Sequence, residues 1–117
     1  MKFVTKRIHA FLDYPVALAL IALPFILGLG NSNPLAMYLS VVTGIAAFIL
    51  TVLTDHHLGV FRVTPYKIHL AVDLTVAIVF ISAPFILSFT GIDAFYYWIN
   101  GVSVLIVVSL HKSEITA

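Results

Sequence analysis

The sequence predicts an all-α protein, a four-transmembrane-helix bundle built from two tandem two-helix repeats, both termini on the same side. Three observations predict it. The chain of 117 residues is 62% hydrophobic and only 9% charged, against about 25% charged residues in a soluble domain. It contains four apolar stretches near the roughly 20 residues that a helix needs to cross a bilayer core. And its first helix recurs, residue for residue at many positions, 60 residues later.

The composition points to lipid as the surrounding solvent. So small a chain has too much surface for so few charges to cover in water, and its mean hydropathy is +1.12. There is no cysteine, so disulfides and thiolate metal ligands are excluded. A net charge of +1 gives no bulk attraction to nucleic acid, and none is expected as a partner.

The first span runs from about Ile8 to Leu29 and is closed by Gly28, Gly30 and Asn31. The second runs from Leu35 to Thr54, with Asn33-Pro34 as its cap and first-turn proline. The third runs from Ile68 to Phe89, opened in the same way by Thr64-Pro65 and followed by Gly91. The fourth runs from Ala94 to Leu110, with Asp93 as its expected cap. Pro15, Pro24 and Pro84 fall inside spans, where bends are expected and neighbours re-satisfy the freed carbonyls. Lys2, Lys6 and Arg7 before an apolar run resemble the start of a signal peptide. His9 and Asp13 interrupt that pattern, no small-x-small cleavage site follows, and the segment returns as the third span.

The repeat is read directly. Ile8-His9 matches Ile68-His69, Asp13 matches Asp73, and Pro24-Phe25-Ile26-Leu27 matches Pro84-Phe85-Ile86-Leu87. Ten of the twenty positions from Ile8 to Leu27 are identical. Apolar runs share leucines by chance, but not a histidine, an aspartate and a proline in register. Gly44 aligns with Gly101 between the second and fourth helices. The chain divides into repeat one, 1–57, and repeat two, 58–117, within a single membrane domain. Two spans per unit give the copies one orientation, related by a pseudo-twofold axis along the membrane normal.

The two-span unit, with Leu23-Pro24-Phe25 in the first copy and Ala83-Pro84-Phe85 in the second, resembles the SPW-repeat family of small integral membrane proteins. Serine is absent from both copies and phenylalanine replaces tryptophan. The resemblance implies the two-hairpin architecture and no particular activity.

All six basic residues fall on one side: Lys2, Lys6, Arg7, Arg62, Lys67 and Lys112. The positive-inside rule then puts both termini and the middle loop in the cytoplasm, of a bacterial inner membrane in this reading. Tyr38 and Phe95-Tyr96-Tyr97-Trp98 lie toward the other face, as an aromatic belt or as packing.

This topology gathers every histidine at the cytoplasmic face: His9, His56, His57, His69 and His111, with Asp13, Asp55 and Asp73. His9 and Asp13 are four apart, as are His69 and Asp73, so each pair shares a helical face. A carboxylate at that depth costs about 2–3 kcal/mol unless paired. Asp13 and Asp73 should therefore face the interior. The least demanding reading makes these groups interfacial anchors in a structural or interaction component, a homo-oligomer or part of a larger membrane complex. Three sharper readings compete with it. The cluster could ligate a transition metal through imidazole and carboxylate. His9 and His69 could be axial ligands of haem b. Or the acidic groups could belong to an ion or proton path. Against a path, the first helix is apolar beyond Tyr14 and the third offers only Thr75 and Ser82 beyond Asp73. Ser40-x-x-x-Gly44 suits close helix contact, and Asn100, Gly101 and Ser103 suit contact or hydrogen bonds between helices. The loops are short, which argues against an enzyme acting on soluble substrates, and no triad, phosphate loop or nucleotide fingerprint occurs.

Overall fold

The computed structural model describes residues 6–54 and 65–110, the side chains of 6–10 and 66 excepted. The described residues are helical, without strands: α1 (Lys6–Leu27), α2 (Leu35–Leu53), α3 (Tyr66–Ile86) and α4 (Gly91–Ser109). Three stretches are long and apolar enough to cross a membrane, Leu35–Leu53, Lys67–Ile86 and Gly91–Ser109. In α1 the corresponding apolar stretch is Phe11–Leu27.

Local chemistry explains the helix ends. Leu35 donates its N–H to Asn33 Oδ1 at 3.0 Å, and Pro34 has helical backbone angles, so Asn33 caps α2 and Pro34 opens its first turn. α3 starts one residue later than the sequence suggests. Pro65 is itself extended, with ψ 142°, and occupies the cap position; Thr64 lies outside the described residues. α4 starts earlier, at Gly91 behind an extended Thr90. Asp93 is therefore in the first turn rather than at the cap. α1 and α3 end alike. Gly28 and Ser88 both have positive φ, 65° and 58°, and Leu29 and Phe89 return their N–H groups to Pro24 O and Pro84 O at 2.9 and 3.1 Å. This is the six-to-one bond of a Schellman turn. Both helices run on through their internal prolines.

The helices pair as two hairpins, α1 with α2 and α3 with α4, while α2 and α3 touch little. Within each hairpin a glycine sets the approach. A Cβ at Gly44 would sit 2.9 Å from Ala17 O, and one at Gly101 would sit 3.1 Å from Ala77 O. Backbones can come this close only where a side chain is missing.

The hairpins join at the end carrying the short loops. A core of Leu20, Leu29, Phe80, Phe89, Tyr96 and Tyr97 fills the bundle there. Tyr97 packs between Phe80 and Phe89, with ring centroids 4.5 and 4.9 Å away, and donates its hydroxyl to Ala36 O at 2.6 Å. Tyr96 and Tyr97 are thus interior groups and not part of a belt; Tyr38 and Phe95 remain exposed. Asp93 ties the loops together. Its carboxylate accepts from Gly30 N and Ser32 N, each at 3.0 Å, and from Ser32 Oγ at 2.5 Å. Asn33 Nδ2 donates to Leu87 O at 3.0 Å beside it.

The outer surface is apolar. Phe25, Ile26, Phe85 and Ile86 are each more than three-fifths exposed, whereas Ser40, Thr51, Thr54, His69 and Asp93 are buried. Polar groups inside and large apolar ones outside fit a lipid environment.

Candidate functional site

The prolines and phenylalanines of the repeat motif divide their roles. Pro24 and Pro84 are buried, and Phe25 and Phe85 face outward. The residues singled out for helix packing separate too. Ser40 Oγ donates to Leu20 O at 2.8 Å and meets Tyr96 Oη at 2.6 Å, joining α1, α2 and α4. Asn100 Nδ2 and Ser103 Oγ instead donate to Tyr96 O and Ile99 O, carbonyls of their own helix.

Away from the loop end the hairpins diverge around a cavity of about 600 Å³. All four helices line it, and among the described residues no phenylalanine, tyrosine or tryptophan does. Valine and alanine dominate its walls, with Val16, Val42, Ala46, Val76 and Val104 among them. Thr43, Asn100 and Ser103 add polar atoms partway along.

At one end of the cavity Asp13 of α1 meets His69 and Asp73 of α3. Each aspartate is the eighth residue of its helix, so both lie about 10 Å along it. His69 is 2% exposed, and its Nε2 lies 3.3 Å from Asp13 Oδ2 and 3.4 Å from Asp73 Oδ2. The ring's other nitrogen, Nδ1, is 2.7 Å from Thr54 Oγ1. Thr54 is fully buried at the end of α2, and its hydroxyl donates to Leu50 O at 2.5 Å.

A hydrogen count assigns the direction of the Thr54–His69 contact. A threonine hydroxyl has one hydrogen, and Leu50 O takes it. The contact with His69 is then a donation from Nδ1–H to Thr54 Oγ1. Nε2 turns toward the two carboxylates, offering a lone pair when the ring is neutral. A nitrogen lone pair and two carboxylates attract a cation together. Separations of 3.3 and 3.4 Å exceed the 2.7–2.9 Å usual for a charge-assisted hydrogen bond. These two separations equal the edge of a tetrahedron with metal–ligand bonds of 2.0–2.1 Å, about 3.3–3.4 Å, and they are two of the three edges that such a face needs. One ligand atom from each of the three residues lies within 4.8 Å of the others.

Comparison with protein-family models, curated proteins and solved structures gives no match for this chain. Its function must be read from the site.

Of the residues proposed from sequence for the His/Asp cluster, the structure brings together Asp13, His69 and Asp73. His9 is in α1, but its side chain lies outside the described residues, as do His56, His57, His111 and Asp55 entirely. Thr54 escaped the sequence reading. Its one signal was position: it closes the second apolar run, directly before Asp55-His56-His57. The cavity left no signal either, since valine and alanine on apolar helices pack as readily as they leave space.

Proposed function

We propose that this chain is a small integral membrane protein of the SPW-repeat type that binds a divalent transition-metal ion between its two hairpins. In this reading all four helices span the bilayer as two tandem repeats, and both termini and the middle loop face the cytoplasm. The apolar exterior supports the membrane placement, the sequence match between α1 and α3 supports the repeat, and the one-sided basic residues support the orientation.

The observation that carries the metal reading is the convergence of one imidazole nitrogen and two carboxylates, His69 Nε2 lying 3.3 Å from Asp13 Oδ2 and 3.4 Å from Asp73 Oδ2. One imidazole and two carboxylates suit zinc best among common divalent ions and also accept iron, cobalt or nickel. Thr54 holds the ring from behind, as outer partners of metal-bound histidines do. A bare ion fits better than haem, because Nε2, the nitrogen that a haem iron would take, already meets two carboxylates. A self-contained ion path is less well supported. Phe80, Phe89, Tyr96 and Tyr97 fill the bundle toward the loop end.

The test is metal stoichiometry. Purified in detergent and titrated with Zn²⁺ or Co²⁺, the wild-type chain should bind one ion. His69→Ala, and Asp13→Asn with Asp73→Asn, should lose it, and Thr54→Val should weaken it about 10–100-fold. A wild-type chain that binds no stoichiometric metal ends this reading.

A further inference from the structure

We infer that the cavity takes an uncharged amphiphile from the bilayer, its hydroxyl or carbonyl group bonded to Thr43 and Asn100 and its apolar chain lying along α2 and α4. The inference rests on the membrane placement above and not on the metal, and no property of the His/Asp cluster enters it.

Thr43 and Asn100 hold the same place in the two repeats, each directly before the glycine that closes its hairpin. Both line the cavity. Gly44 and Gly101 lie against Ala17 and Ala77, four residues beyond Asp13 and Asp73. Counted along α1 and α3, the pair therefore stands about 6 Å nearer the packed end than the carboxylates. Its hydrogen-bonding capacity is not exhausted. Thr51, Thr54 and Thr75 each donate to the carbonyl four residues back, whereas Thr43 makes no hydrogen bond among the described residues. Asn100 gives one amide hydrogen to Tyr96 O, which leaves a second N–H and Oδ1. Polar groups that face an apolar space without partners are costly. One hydroxyl or carbonyl oxygen accepts from both.

The walls select the rest of the molecule. Past Ser103, α4 lines the cavity with Val104 and Val107, and α2 lines it with Ala46, Ala47 and Leu50. From Asn100 to Val107 the helix advances seven residues, roughly 10 Å, the length of an apolar chain of about eight carbons. The volume of about 600 Å³ lies inside the range of about 300–1,000 Å³ typical of small-molecule sites. Val16, Val42 and Val72 line the cavity and are also exposed, which gives such a chain lateral access from lipid. Neither Thr43 nor Asn100 can balance a charge, so a charged head between them would be uncompensated.

Photolabelling of EDTA-washed protein tests this, with a diazirine-bearing octanol in detergent and in phosphatidylcholine vesicles. Adducts located by mass spectrometry should saturate and should fall on Ala46, Ala47 or Val104. At equal mole fraction in the micelle, 1-octanol should displace the label, and n-octane and octanoate should each need at least about tenfold more. Thr43→Val with Asn100→Leu should bring octanol and octane within about threefold of each other, with octane competing as before. Ala46→Phe narrows the cavity and should abolish the labelling; should that variant not fold, Val104→Phe serves the same purpose. Label that spreads over the outer surface without saturating overturns the inference. Equal competition by octane overturns the hydrogen-bonded head, and equal competition by octanoate overturns its lack of charge. Labelling that requires added Zn²⁺ moves the head to the His/Asp cluster and overturns its placement. Labelling in detergent that disappears in vesicles overturns the bilayer as the source. A metal titration that finds no ion ends the metal reading and leaves this inference standing. A chain that stays monodisperse without detergent ends the membrane placement, and the entry from lipid falls with it.

Discussion

The two ends of the bundle are made from the same four helices and differ in nearly everything else. At the loop end, aromatic rings interlock and an aspartate of α4 holds the loop between α1 and α2. At the other end, valine and alanine stand back from a cavity whose polar groups converge on one point. In the proposed bilayer placement lipid tails are as apolar as leucine, so burial from water would not drive these helices together; packing and hydrogen bonds would. Large rings offer the most contact, and they are concentrated where the hairpins join. Cohesion placed at one end frees the other to hold space and charge. The fold thus separates the residues that assemble it from those that can bind something.

That division can be broken from either side. Loss of the clamp should have the largest effect. Asp93→Ala leaves Gly30 N and Ser32 N without their acceptor. With hydrogen bonds to a charged group worth about 1.5–3 kcal/mol each, the variant should lose at least about 3 kcal/mol. Unfolding followed by circular dichroism in mixed micelles measures it, and a loss under 1 kcal/mol would mean that the loops do not join the hairpins. Truncation of single side chains should separate the two ends next. Phe80→Ala opens a hole in the packed end and should cost about 3 kcal/mol, the low end of the usual range because lipid removes the transfer contribution. Val107→Ala borders a space already present and should cost less than about 1 kcal/mol. Equal losses for the two would show that the cavity collapses in the native protein.

The same division decides what the sequence disclosed. The all-helical class and its apolar stretches follow from hydropathy, because the length of an apolar run is a one-dimensional property. Asn33 as the cap of α2 followed from a local rule. Asp13, His69 and Asp73 could be nominated because ionisable residues in apolar helices are rare. What a local rule cannot give is which hairpin supplies which partner. Asp13 sits nearest in sequence to His9 on its own helix, yet the structure sets it against His69 of the other hairpin. Thr54 and Asp93 were unreadable for the same reason. Each was read by its position at a helix end, and each acts through a group on another segment. Tyr96 and Tyr97 stood open between a belt and packing. Their ring chemistry suits an interface as well as a core, and only packing distinguishes the two.

The smallest effect lies within the packed end, at two matched turns. Gly28 and Ser88 close α1 and α3 with nearly the same φ, but only one of them is glycine. A residue with a Cβ costs roughly 1–2 kcal/mol in the left-handed region, and glycine there costs almost nothing. Ser88→Gly should therefore stabilise the protein, by somewhat less than that cost because glycine also loosens the unfolded chain. Gly28→Ala should destabilise it by a similar amount. A Cβ at Gly28 would meet nothing within 4 Å, so crowding cannot account for the loss. Opposite signs at these two positions would show that backbone conformation alone sets the difference. Matching signs would mean that the serine side chain compensates for its own strain, and the two turns would no longer be equivalent.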